Sequence, residues 1–222
     1  MTERIKTFKP RRGRYSTQQR EALDRATYLV GLSDFPGLAA LFGDQPVILE
    51  IGFGMGDATL QQALAHPEFG ILAIDVHTPG VGRLLAELEE RGITNVRVVE
   101  GDAIELLHAH VTDGSLAGIR VYFPDPWPKT RHHKRRIISA TNLDLMAAKL
   151  APAGFLHFAT DWQEYAEAAL ETVAAHPAFS VLTEDQQPQY ASKATRPLTK
   201  FEARGIAAGR SITDIVAVRV TP

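Results

Sequence analysis

The chain has 222 residues, 45% hydrophobic and 23% charged, which suits a single globular core. No run of eighteen apolar residues occurs, the N-terminal MTERIKTFKPRRGR lacks an apolar stretch, and cysteine is absent, so a membrane span, a secretory signal, disulfides and thiolate metal sites are not expected. A cytoplasmic placement is the simplest expectation. The net charge of -2 divides unevenly: residues 1–20 carry +6 and residues 129–136 carry +5, leaving -13 on the rest, a pattern that suits a polyanion partner gripped by two basic islands.

In chain order, residues 1–15 read as a basic N-terminal arm and residues 16–222 as one domain. Ser16 and Gln19 form a capping-box signature for a helix, with Ala22, Ala26, Leu29 and Val30 at helical spacing. An arm tethered to that helix can fold over a ligand. Val47 to Ile51 then reads as a buried strand, and GFGMG follows it with glycines at 52, 54 and 56 before a helix that opens at Asp57. Such a strand, glycine turn and helix can cradle a nucleotide-like group, because glycine lets a ligand press against the backbone.

The next strand, Gly70 to Val76, contains Asp75, nineteen residues beyond Gly56, where a carboxylate can accept hydrogen bonds from ribose hydroxyls. A helix from about Gly82 to Arg91 leads to a strand at Val96 to Glu100, and Gly101 and Asp102 open another helix. The fourth strand, Gly118 to Phe123, delivers FPDPWPKTRHHKRR. Prolines at 124, 126 and 128 stiffen that turn, so Asp125 and Trp127 are expected on a fixed, non-helical segment beside the basic run. After a helix at 141–150, a fifth strand from Phe155 to Ala159 ends in Thr160 and Asp161, and a helix runs from Trp162 to about His176. The last strands are expected at Ser180 to Thr183 and Ile215 to Val220, separated by a long polar loop that includes TRPLTKFEARG.

Glu50, Asp75, Asp102, Asp125 and Asp161 thus all fall at or just after strand ends, the edge where parallel α/β sheets bind ligands. Each taken singly is also explained as a helix cap or a solvated acid. His77, His132 and His133 are not at metal-ligand spacing, so no metal is expected.

The motifs LEIGFGMG, IDVHTPGVG, FPDPWPKTRHHKRR, ATDWQEYAE and RPLTKFEARG together resemble the bacterial tRNA (guanine-N7-)-methyltransferases over nearly the whole chain. FPDPWPK and TKFE are the specific part, since many methyltransferases share the glycine motif. The resemblance implies a Rossmann-like S-adenosylmethionine-dependent methyltransferase fold, α/β, with a mostly parallel seven-stranded sheet, helices on both faces and an antiparallel last strand. It implies S-adenosyl-L-methionine bound by Glu50, Gly52, Gly54, Gly56, Asp75, Asp102 and Asp125, with Asp125 also catalytic and S-adenosyl-L-homocysteine as product.

The same resemblance assigns Lys129, Asp161, Thr199, Lys200, Phe201 and Glu202 to the substrate, and Arg131, His132, His133, Lys134, Arg135 and Arg136 to RNA. It further implies a guanine of the tRNA variable loop as target, in a monomer or homodimer. The acid of the second strand, often glutamate in that family, is Asp75 here. DPW also resembles the D-P-P-[YW] turn of exocyclic-amine methyltransferases, which makes an adenine or cytosine amine the competing target. A dinucleotide-dependent oxidoreductase fits less well, because GFGMG lacks the G-x-G-x-x-G spacing.

Overall fold

A computed structural model describes residues 5–8, 16–25, 27–192 and 196–220. The expected boundary between arm and domain, and the RRGR motif at 11–14, lie outside these residues. Ser16 and Gln19 do form the capping box: Gln19 Oε1 accepts from the Ser16 amide at 2.7 Å, and Ser16 Oγ accepts from the Gln19 amide at 3.2 Å. The helix they open, α1, spans Thr17–Arg25 and stops before Leu29 and Val30, which form β1. Their apolar spacing is helical, yet pairing with a neighbouring strand wins, and the seven expected strands gain an eighth.

The remaining elements are α2 (Leu38–Phe42), β2 (Val47–Ile51), α3 (Asp57–Ala65), β3 (Gly70–Asp75), α4 (Thr78–Arg91), β4 (Val96–Glu100), α5 (Ala103–Ala109), β5 (Leu116–Tyr122), α6 (Ala140–Lys149), β6 (Leu150–Thr160), α7 (Gln163–Ala174), β7 (Phe179–Val181), α8 (Lys200–Ala207) and β8 (Thr213–Arg219). The sheet order is β1-β4-β3-β2-β5-β6-β8-β7. β8 inserts between β6 and β7 and runs antiparallel to both, while the other pairs are parallel. The order reverses at β2, between β3 and β5, so a crevice opens at their carboxyl ends.

Alternation along the strands sorts the two faces. Val47, Leu49, Ile51, Ile119, Val121, Leu156 and Phe158 pack with α2, α5, α6 and α7. Ile71, Ala73, Val96 and Val98 pack with α3 and α4 on the other face, where Leu23 of α1 joins them. In the middle of that second face the pattern breaks: Glu50 of β2, Arg120 of β5 and His157 of β6 are register partners and all are buried. Three ionisable residues in one row of a buried sheet are costly unless paired or functional.

The stretch expected as a long loop contains α8. Thr199 is its N-cap, and a T-x-x-E capping box with Glu202 is the sequence signal for it. Among the described residues no helix is long and apolar enough to cross a membrane.

Candidate active site

The crevice is a cleft of ≈ 980 Å³, its open mouth included, lined by Gly52, Gly54, Met55, Asp75, Val76, His77, Gly101, Ala103, Phe123, Pro124, Asp125 and Ile137, with Thr7 and Phe8 across it. A second pocket of ≈ 730 Å³ adjoins it, sharing Gly52, Met55 and Phe123 and lined further by Glu50, Tyr122, Thr199 and Arg204. Of the strand-end acids, Asp75 and Asp125 line the first space and Glu50 the second, while Asp102 and Asp161 line neither.

The first wall is the glycine turn. Gly52 has φ +78°, and a Cβ there would enter open space, so a ligand can approach its backbone closely. Asp75 holds the turn: its Oδ2 accepts from the Gly54 amide at 2.7 Å and its Oδ1 from the His77 amide at 2.9 Å. Burial nonetheless pushes the Asp75 carboxyl above its ordinary value, against these bonds.

Two clamps were not apparent from the sequence. Arg83 of α4 donates to the Met55 carbonyl at 2.6 Å and to Asp57 Oδ1 at 2.7 Å. Gly80 lets the start of α4 press on the turn, since a Cβ there would lie 1.8 Å from the Gly54 carbonyl oxygen. The segment TPGVG has no local pattern that announces such an approach.

Glu50 is 3% exposed, and among the described residues its Oε2 has no hydrogen-bond partner. Burial raises its carboxyl above the ordinary value despite the attraction of Arg120. A desolvated carboxylate oxygen without a partner costs free energy that a cationic or N–H-bearing ligand in the adjoining pocket would offset. Asp102 is the N-cap of α5, its Oδ1 accepting from the Ile104 amide at 2.9 Å, and its neighbours Gly101 and Ala103 line the cleft.

The second wall is the FPDPWP turn. Phe123 and Trp127 adopt left-handed φ values of 51° and 48°, which bulky residues rarely adopt, and the interactions around them hold this strained path. The Phe123 amide donates to the Ala159 carbonyl at 2.8 Å, and Arg136 Nε donates to the Pro126 carbonyl at 3.0 Å. Trp127 is 3% exposed, with Arg135 over its ring at 4.8 Å and its indole N–H donating to the Thr7 carbonyl at 3.1 Å. Packing, not base stacking, occupies that ring, and it pins segment 5–8 beside the cleft. Asp125 is half-buried and lines the cleft opposite the glycine turn.

The basic run beyond it is a 3-10 turn, Thr130–Arg135. Lys129, Arg131 and Lys134 are exposed, while His132, His133 and Arg135 are half-buried. Arg136, expected among the RNA-binding cations, corrects that expectation: it is 5% exposed, forms a two-pronged pair with Glu164, and lies over the Tyr165 ring at 4.6 Å. Its charge serves the turn.

The expected substrate residues divide in the same way. Thr199 lines the second pocket, and Lys129 is exposed beside the turn. Asp161 Oδ2 accepts from Arg210 at 2.9 Å. Glu202 lines neither pocket; its amide donates to the Thr199 cap at 3.1 Å, and its carboxylate accepts from Arg196 at 2.6 and 2.8 Å. The side chains of Lys200 and Phe201 lie outside the described residues. Among those residues no group of three or more His, Asp or Glu is arranged to hold a metal.

The fold is that of a methyltransferase. A family model described as "Putative methyltransferase" matches residues 44–215. The 16S rRNA (adenine(1408)-N(1))-methyltransferase of Catenulisporales acidiphilia, solved with its cosubstrate SAM, superposes with a TM-score of 0.52 at 15% identity, covering 93% of each chain, which speaks for the fold alone. The tRNA (guanine-N(7)-)-methyltransferase of Streptomyces avermitilis is 49% identical over 99% of this chain and 77% of its own length. That of Streptomyces coelicolor is 48% identical over 98% of this chain and 82% of its own length. The chain belongs to the tRNA (guanine-N7-)-methyltransferase family.

Proposed function

We propose that the chain transfers a methyl group from S-adenosylmethionine to N7 of a guanine in tRNA. The observation that carries this reading is the joint lining of one cleft by the glycine turn and Asp125, with a Glu50 oxygen that has no partner among the described residues beside the adjoining pocket. The residues fit S-adenosylmethionine: Asp75 and the backbone of Gly52 and Gly54 would meet its ribose and chain, Gly101 to Ala103 its base, and Glu50 a cationic or N–H-bearing part. When bound, it supplies a methyl group activated by a sulfonium.

Guanine N7 is a lone pair with no proton to lose, so the protein's task is alignment more than base catalysis. Asp125, fixed by three prolines and the Arg136 bond to Pro126, would orient the purine and favour the positive charge that forms on it. The two pockets meet at Phe123, which suits a donor in the first, its amino-bearing chain reaching Glu50, and the target base in the rest of the second. Lys129, Arg131 and Lys134, exposed in the segment that follows Asp125, would draw tRNA phosphates.

Transfer of labelled methyl groups to unmodified tRNA, followed by nucleoside analysis, tests this. The expected product is 7-methylguanosine; methylated adenine or cytosine amines would favour the exocyclic reading of DPW instead.

A further inference from the structure

The Thr199–Glu202 cap does not stand alone. The side chain of Arg196 is 2% exposed. It donates to both oxygens of Glu202, at 2.6 and 2.8 Å, and to both oxygens of Asp214 on β8, at 2.6 and 3.1 Å. Its guanidinium lies over the rings of Tyr122, at 5.6 Å, and Phe123, at 5.3 Å. Asp214 Oδ1 is also 2.9 Å from His157 Nε2, whose Nδ1 is 3.1 Å from the Tyr122 hydroxyl.

Burial holds His157 below its ordinary value and Tyr122 above its own, so the ring is neutral and the phenol keeps its proton. Tyr122 then donates to Nδ1, and His157 Nε2–H donates to Asp214. The Tyr122 hydroxyl, His157 Nε2 and each of the three guanidinium nitrogens of Arg196 thus have an acceptor.

We propose that Arg196 is a positioning residue for methyl transfer: through Glu202 it sets the start of α8, and through Tyr122 and Phe123 it sets the opposite side of the second pocket. Glu202 Oε2 accepts from the Thr199 amide at 3.4 Å and so closes the capping box, and Thr199 and Arg204 form one side of the pocket. Tyr122 and Phe123 form the other side, and Phe123 lies two residues before Asp125 at a strained φ. One planar cation thus gauges the distance between the pocket's two sides. A lysine could match its charge but not two bidentate pairs and two ring faces at once. The inference rests on the reading of the second pocket as the site of the target base.

The test compares Arg196→Lys, Glu202→Gln, their double variant, and Thr199→Ala, with rates expressed per site that binds S-adenosylmethionine. Arg196→Lys should bind S-adenosylmethionine with full stoichiometry and affinity within about twofold, while kcat falls about 100-fold, the cost of misplacing reacting groups by about an ångström. The double variant should be no slower than the slower single one, because both break one linkage.

A purely structural Arg196 would lower binding stoichiometry and melting temperature and leave kcat per site unchanged, which overturns the proposal. A Thr199→Ala variant as fast as the wild type also overturns it, because the second pocket would not hold the base, while the activity reading stands. A wild-type protein that makes no 7-methylguanosine overturns both. If Arg196→Lys does not fold, Glu202→Asp, which draws the carboxylate back from Arg196, takes its place: the same loss of kcat supports the proposal and a wild-type kcat overturns it.

Discussion

The two halves of the ligand edge are built by different means. On the β3 side, the holding is done on backbone groups: the Asp75 carboxylate on two amides of the glycine turn and its own strand end, and Arg83 on the Met55 carbonyl. On the β5–β8 side, ionisable side chains pair with one another, Arg196 with Asp214, His157 with Asp214 and Arg136 with Glu164, and the Trp127 indole reaches Thr7. The first half offers a backbone cradle that needs little support. The second must hold a strained turn and a helix start together, and buried charge does so. The halves should therefore fail differently: damage to the first should weaken cofactor binding, and damage to the second should slow transfer.

The sharpest test of that difference is Asp125→Ala. It should reduce kcat by roughly 1000-fold, as removal of a fixed carboxylate facing developing charge does, with melting temperature and S-adenosylmethionine affinity nearly unchanged. Near-normal turnover would remove Asp125 from the centre of the mechanism. Asp75→Asn is the counterpart in the other half. It removes the charge from the bonds to Gly54 and His77, so S-adenosylmethionine affinity, measured by calorimetry, should fall about tenfold to a hundredfold, with kcat at saturation largely kept. A variant that binds normally but turns over slowly would reverse the assignment of the halves.

This difference also explains what the sequence could reveal. The glycine turn and the acid of the first half each sit in a short motif at the end of an apolar strand, and Gly52, Gly54 and Asp75 were legible there. Asp125 was legible too, because three prolines declare a stiff turn. Arg136 misled because a basic run looks like one solvated surface; nothing local says that its last member faces Glu164, 28 residues on. Arg196 opens the RPLTKFEARG motif, yet nothing local pairs it with Asp214, and His157 and Asp214 carry no pattern, since the pairing exists only once β8 has inserted beside β6. The T-x-x-E cap of α8 was readable and was hidden by the polar composition around it.

The basic run offers a comparison within one segment. Neutralising Arg131 and Lys134, both exposed, should weaken tRNA binding and lower the slope of log affinity against log salt by about 0.7 to 0.9 for each phosphate that is no longer neutralised, with stability unchanged. Arg136→Gln should instead lower stability by about 1–2 kcal/mol, a modest figure because Glu164 is half in water, and leave the salt slope as it was. Equal salt slopes for wild type and the Arg131/Lys134 variant would mean that the exposed cations meet no phosphate.

The smallest expected effect separates the halves by sign. Burial raises the Glu50 carboxyl above 4.5, so its contribution to stability is complete below that value and is lost as pH rises through the raised folded value. Burial lowers His157 below 6.5, so the unfolded chain takes up protons that the folded protein resists, and stability falls as pH drops below 6.5. Glu50→Gln should therefore gain in melting temperature relative to wild type as pH rises above 4.5, and His157→Gln should gain as pH falls from 6.5 towards the lowered value. Each tenfold difference in proton affinity between the folded and unfolded states is worth about 1.4 kcal/mol. Two difference curves with the same slope would show that one of these groups titrates in the folded protein much as it does in the unfolded chain, and the electrostatic contrast between the two halves would be lost.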